Sequence, residues 1–381
     1  MEHAENLMAL LRSAIGKKTL TAELNAEAVQ SVLELAAKHD LAHLAAAVLH
    51  GQKLPMDKEL TGKLWQLQLR AVWRHERLMR EQEAICRTLE ASGIPFLPLK
   101  GAVIRELYPE PWMRTSCDID VLVHREDLER AVAALETELQ YRSEGQVYHD
   151  VSMMTPSGLH IEVHFKLNVH LDTADQALYA VWDHCRIKAG WQQYRELEPE
   201  FFVFYFVAHM AGHVLRGGCG IRPVLDLWLM ERSWTLNQEM LAGYFAASGL
   251  TAFYETARQL AAVWFSGEQP NPVTEALADY ILTGGVYGTK ENSIAVNQSR
   301  GKGTLGYWKR RLFFSREHLQ GVYPELEQHP ERYAYYQVKR WFRFLNKNTR
   351  SRILREFQQE QNLSPKAITS VSELLNNLEL Q

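Results

Sequence analysis

Cysteine is scarce in this 381-residue chain, and the four present, Cys86, Cys117, Cys185 and Cys219, include no C-x-x-C pair. That spacing excludes the common structural zinc patterns and suits a reducing compartment. Excess charge of one sign is also missing: the formal net charge is −4. The chain as a whole therefore has no general attraction for nucleic acid or an anionic membrane. Long apolar runs are lacking too. The most apolar stretch, "FFVFYFVAHM", is too short to span a bilayer. The first residues, "MEHAENLMAL", do not place a basic region before an apolar core, so they do not read as a signal peptide. Neither repeats nor low-complexity tracts occur. These absences point to a cytoplasmic globular protein without a membrane partner. Its length suffices for two or three cores.

What is present begins with helical spacing. Apolar residues repeat at that spacing over 22–50, where Gly51 is placed to stop the helix, and again over 61–91, where Gly93 does the same. The composition then shifts. "IPFLPL" (94–99) reads as a strand, "GAVIRELY" (101–108) as a short helix, and "DIDVLV" (118–123) as a second strand. A helix is expected over 125–140, with Leu128, Val132, Leu135 and Leu139 on one stripe. Residues 147–167 read as a hairpin around "TPSG". From 199 the helical pattern returns. The stretch 266–305 is rich in Gly, Asn and Ser and reads as loop, and the tail over 306–360 as helical, aromatic and basic.

The chemistry concentrates at "TSCDIDVLVH" (115–124). On a strand, Asp118 and Asp120 project from one face while Ile119, Val121 and Val123 face a core. Two carboxylates about 6–7 Å apart by strand rise suit a shared divalent cation. In "HIEVHF" (160–165), Glu162 and His164 share the face opposite Ile161, Val163 and Phe165. If that strand pairs with the first, Glu162 falls beside the aspartates. A D-x-D alone is more often a solvated sheet face with basic partners.

The succession "LPLKGAVIRELYPEPWMRTSCDIDVLV", then "HIEVHF", resembles the bacterial uncharacterised nucleotidyltransferase group of the DNA polymerase β-like superfamily. The likeness continues in "IRPVLDLWLM" and more faintly in "RLFFSREHLQGVYPE", spanning about 65–345. It implies an α+β fold, a small mixed-sheet nucleotidyltransferase core flanked by helical regions. The expected division is 1–92 helical, 93–195 core, 196–265 helical and facing the cleft, and 266–381 helical with the basic aromatic tail. The resemblance further implies Asp118 and Asp120 as ligands of two Mg2+ ions, with Glu162 as a third ligand or as the base for the incoming hydroxyl. The substrates implied are ATP or another NTP and an unidentified acceptor. Where the superfamily carries a Gly-Ser pair, this chain has Lys100-Gly101. Backbone N–H groups at Gly101 and the charge of Lys100 are candidates for phosphate binding there. Arg114 and Ser116 are further candidates, although an ion pair explains Arg114 as well.

Weaker signals surround this core. His209 and His213 lie at i, i+4 without the glutamate of H-E-x-x-H, and read as packed histidines lining the cleft. Arg222 and Asp226 also lie at i, i+4, as an ion pair or a cleft wall. His149, His160 and His164 lie near Glu162, one of them a candidate for orienting it. "RGGCG" (216–220) lacks the Lys-Ser/Thr of a P-loop and reads as a turn. "KRWFRFLNKNTRSRILREF" (339–357) has a composition that binds nucleic acid, but a solvated basic face over packed Trp341 and Phe344 is preferred. The rival to an enzyme is a catalytically inactive protein of the same fold that binds nucleotide or a protein partner.

Overall fold

The structure, a computed structural model, describes residues 2–16, 24–51, 57–146, 148–300, 323–326, 328–342 and 365–380, with Phe313, Phe314, Arg316, Leu319 and Gln320. Three amino-terminal helices, α1 (Glu2–Gly16), α2 (Ala26–Lys38) and α3 (Ala42–His50), precede the long α4 (Lys58–Ala91). Side-chain caps set two of the starts. Asn25 accepts from the Ala28 N–H at 2.8 Å, and Asp57 accepts from the Leu60 N–H at 2.7 Å. The single helix expected over 22–50 is two helices. Asp40, at φ 53°, turns the chain between them, and Asp is among the few residues that take the left-handed region readily.

The centre of the chain builds a five-stranded sheet in the order β1-β2-β5-β4-β3. Its elements are β1 (Phe96–Pro98), α5 (Gly101–Ile104), β2 (Asp118–Val123), α6 (Leu128–Leu139), β3 (Arg142–Gln146), β4 (Asp150–Met154) and β5 (His160–His164). The helix expected over 101–108 is α5 followed by a 3-10 turn, Arg105–Leu107. β4 and β5 form the expected antiparallel hairpin, and β2 pairs parallel with β5. β3 was not legible in the sequence: "RSEGQ" is exposed at every position, so it lacks the alternation that marks a strand.

Beyond the sheet come α7 (Asp172–Leu178), the small ribbon β6 (Cys185–Ile187) and β7 (Arg195–Leu197), and the helices α8 (Pro199–Val214), α9 (Ile221–Ser233), α10 (Gln238–Ser248) and α11 (Thr251–Ser266). The loop expected over 266–305 is a correction: α12 (Pro272–Gly284) and α13 (Lys290–Arg300) occupy most of it. Asn271 and Thr274 form a reciprocal capping box with Pro272 in the first turn. The Asn-Pro that reads as a breaker is here a helix start. Two more described helices follow, α14 (Tyr333–Trp341) and α15 (Pro365–Asn377). Of the expected helical tail, 306–312 and 343–360 lie outside the described residues, as do Phe344 and most of the basic aromatic stretch.

The two faces of the sheet serve different cores. Ile119, Val121, Val123, Ile161 and Val163 pack with Leu78, Ile85 and Leu89 of α4 and Leu128, Ala131 and Leu135 of α6. Leu122 points the other way, into a larger core that joins α1–α3 to α8–α12. Because side chains alternate along a strand, Asp118 and Asp120 share the side of Leu122 and open toward α8. Among the described residues no helix is long and apolar enough to cross a membrane.

Candidate active site

The register of β2 against β5 places Asp118 opposite His160 and Asp120 opposite Glu162. The three carboxylates therefore meet at one wall of a cavity of about 570 Å³. Lys100, Gly101, Arg105, Arg114 and Ser116 line it on the side of α5, and Tyr205, His209 and His213 of α8 line the far side. All twelve residues singled out in the sequence as site or cleft candidates border this cavity.

Asp120 is not a bare acid. The Lys100 ammonium lies 3.5 Å from its Oδ2, and His164 Nε2 lies 2.9 Å from its Oδ1. Burial opposes the charged form of Asp120, but Lys100 and His164 outweigh it and hold the carboxyl well below its usual range. The same His164 nitrogen lies 3.3 Å from Glu162 Oε2. Burial disfavours the imidazolium, yet hydrogen bonds to Asp120 and Glu162 raise its pKa to about 9. Lys100 behaves likewise: against the cost of burial, Asp120, Asp118 and Glu162 raise its pKa.

Asp118 differs. Its carboxylate makes no hydrogen bond or ion pair among the described residues, and burial, then Asp120 and Glu162, push its pKa up. A half-buried acid raised by its neighbours is poised to accept a cation. Asp120, Glu162 and His164 also offer ligand atoms within 4.8 Å of one another. The donor set, three carboxylates with one imidazole, fits a divalent ion, with hard oxygens in the majority.

The α5 side is ringed by cations. An added Cβ at Gly101 would lie 3.3 Å from Arg114 Nη1, 3.4 Å from Ser116 Oγ and 3.6 Å from Arg105 Nη2. Glycine leaves a small concavity there. Arg114, however, is engaged elsewhere: its Nη2 donates to Asp226 Oδ2 at 2.9 Å and its Nη1 to the Thr115 carbonyl at 3.1 Å. Ser116 Oγ donates to the Asp118 carbonyl at 3.2 Å.

Arg105 is the residue the sequence reading missed. Only 2% of it is exposed. Its Nε donates to the Gly101 carbonyl at 2.6 Å and its Nη1 to Met79 Sδ at 3.2 Å. No carboxylate lies within ion-pair distance among the described residues. Burial and then the nearby Arg114 lower its pKa to about 10. The available signal was a lone arginine closing the otherwise apolar "GAVIR".

The remaining candidates have separate partners. Arg222 donates to Asp40 Oδ2 at 2.7 Å and to the Thr115 carbonyl at 3.1 Å. Asp226 is fully buried and also accepts from the Tyr108 hydroxyl at 2.7 Å. Of the two alternatives their spacing left open, the Arg222–Asp226 ion pair is not formed, and both residues line the cavity. Asp226 turns into the core, where Arg114 and Tyr108 reach it. The rings of His209 and His213 stand 4.5 Å apart, and among the described residues no third metal-ligating side chain joins them. "RGGCG" is a turn, as expected. Gly218 lies so close to Gly288 that an added Cβ would sit 2.0 Å from its Cα.

No curated protein and no solved structure matches the chain. A family described as an uncharacterised nucleotidyltransferase does match it, over residues 25–266, well over half of its length. That span includes Lys100-Gly101, the D-x-D, the E-x-H and the whole α8–α9 wall of the cavity. The chain belongs to this uncharacterised nucleotidyltransferase family.

Proposed function

We propose that the cavity transfers a nucleoside monophosphate from ATP or another NTP to a hydroxyl or phosphate oxygen of an acceptor, releasing pyrophosphate. Asp118, Asp120 and Glu162 would hold the divalent ions, two Mg2+ in this reading. When bound, such ions neutralise charge on the transferred phosphoryl group and lower the pKa of an attacking hydroxyl. The observation that carries the proposal is the Asp120–Glu162 register beside an unpartnered Asp118. Lys100, Arg105 and the concavity at Gly101 form the cationic side, suited to the phosphates. The acceptor oxygen bonds to the α-phosphorus as the bond to pyrophosphate breaks, and Glu162, where it does not ligate an ion, would take the acceptor's proton. Tyr205, His209 and His213 of α8 would form the acceptor's side.

A second reading has one observation behind it. Lys100 and His164 already neutralise Asp120, which suits a catalytically inactive relative that binds nucleotide without turning it over. Calorimetric titration of each NTP, with and without Mg2+, into wild type and the Asp118→Ala/Asp120→Ala variant separates the readings. Magnesium-dependent binding that the variant loses, with pyrophosphate released on adding acceptors, supports the enzyme. Binding indifferent to Mg2+ and to the variant supports the second reading.

A further inference from the structure

A second cluster of donors lies beside the carboxylates, on the same face of the sheet. Asp150 and His164 are directly opposed across the β4–β5 pair. His149 precedes β4, and its backbone carbonyl accepts from the Phe165 N–H at 3.0 Å. His149, Asp150 and His164 each offer a ligand atom, all within 4.8 Å of one another.

Three features distinguish this cluster from an ordinary polar patch. Asp150 is only 4% exposed, and no lysine or arginine lies within ion-pair distance of it among the described residues. A buried carboxylate with no fixed cation is costly to keep. His149 Nε2 stands 3.0 Å from Asp150 Oδ2. Two donors about 2.1 Å from one tetrahedral ion are about 3.4 Å apart, so the pair lies within a few tenths of an ångström of the spacing of adjacent ligands. His149 Nδ1 is buried without a hydrogen-bond partner, so the polar contact that orients this imidazole among the described residues runs through Nε2 to Asp150.

We propose that His149, Asp150 and His164 bind one divalent transition-metal ion, Zn2+ foremost. Two imidazoles and one carboxylate favour zinc and its neighbours over Mg2+, which prefers all-oxygen sites. His164 has two ring nitrogens, so ligation through one is compatible with the hydrogen bond from Nε2 to Asp120. A carboxylate, a histidine and a metal in series fix the ring's orientation. The ion would thus hold His164 in place against Asp120 and tie the start of β4 to the end of β5.

Cobalt(II) provides a visible probe for nitrogen ligation, and zinc content reports the native ion. Chelator-stripped wild type, Asp118→Asn, His149→Gln and Asp150→Asn are titrated with Co2+, then with Zn2+ against an indicator. Wild type is expected to bind one tight equivalent that Asp118→Asn retains, while any weaker equivalent held at the D-x-D is lost in that variant. His149→Gln and Asp150→Asn should each lose at least about 100-fold in zinc affinity while melting as wild type does in chelator. Three results would overturn the site: no cobalt or zinc bound by wild type, unchanged binding in both His149→Gln and Asp150→Asn, or loss in Asp118→Asn with His149→Gln unaffected. The last would assign the ion to the D-x-D. Magnesium-dependent NTP binding is measured on the same samples, so the transferase reading stands or falls separately.

Discussion

Lys100 places its ammonium 3.5 Å from the Asp120 carboxylate, where a divalent cation bound to Asp120 would feel it directly. At an effective dielectric near 20, two unit charges at such distances interact by about 4 kcal/mol. Lys100 therefore both steadies the carboxylate wall and opposes the charge of an incoming ion. Lys100→Met is expected to raise affinity for Mn2+ alone by about tenfold, read by electron paramagnetic resonance. It should weaken NTP binding in the same samples, because the phosphates lose a cation. Weaker Mn2+ binding in the variant would show that Lys100 organises the carboxylates rather than competing for them.

Arg105 is costly to the fold and has no carboxylate within ion-pair distance among the described residues. A buried guanidinium of this kind is retained at the expense of stability, and Met79 already offers it an apolar neighbour. Arg105→Met is expected to melt at or above the wild-type temperature. Its affinity for pyrophosphate should fall roughly ten- to a hundredfold, the range of one or two charge-assisted hydrogen bonds. A variant that is destabilised yet binds pyrophosphate normally would reduce Arg105 to a brace for the Gly101 carbonyl.

The Arg114–Asp226 pair answers differently, since both members are buried and paired, with Tyr108 as a third member. Removing one partner strands the other. Asp226→Asn is expected to cost about 3 kcal/mol in urea unfolding, whereas Arg114→Met/Asp226→Leu should cost less than that single change. A double variant worse than Asp226→Asn would mean that this pair contributes net stability. In either case the effect on NTP affinity should be small compared with that of Arg105→Met.

The D-x-D face, the E-x-H strand and the pairing that joins them were legible because period-2 alternation fixes which residues share a face. The partners of those acids were not. Nothing local says that His164 reaches Asp120 and Glu162 at once, or that Asp226 prefers Arg114, 112 positions away, to Arg222 on its own helix. Such choices are made by tertiary packing. β3 escaped notice because it has no buried face. α12 escaped because its capping box was read as a loop signal. Arg105 escaped because burial of a cation is invisible until the chain is folded.

His39 makes the pH response of the fold testable. Burial, only partly offset by a backbone hydrogen bond, lowers its pKa from 6.5 to about 4, and its Nδ1 accepts from the Ile221 N–H at 3.3 Å. Below pH 6.5 the unfolded chain protonates this histidine while the folded chain does not. The unfolded state then binds more protons, so its contribution to stability is present above pH 6.5 and is lost as the pH falls toward 4. The shift corresponds to about 3 kcal/mol at most. His149 and His213 are lowered in the same direction, so wild type alone would report a sum. The comparison with His39→Gln isolates one site. Urea midpoints between pH 7 and 4 should fall more steeply for wild type than for the variant, by about one proton's worth of slope. Parallel curves would mean that His39 takes up its proton within the fold, and that the contact between α2 and the start of α9 opens to let it in.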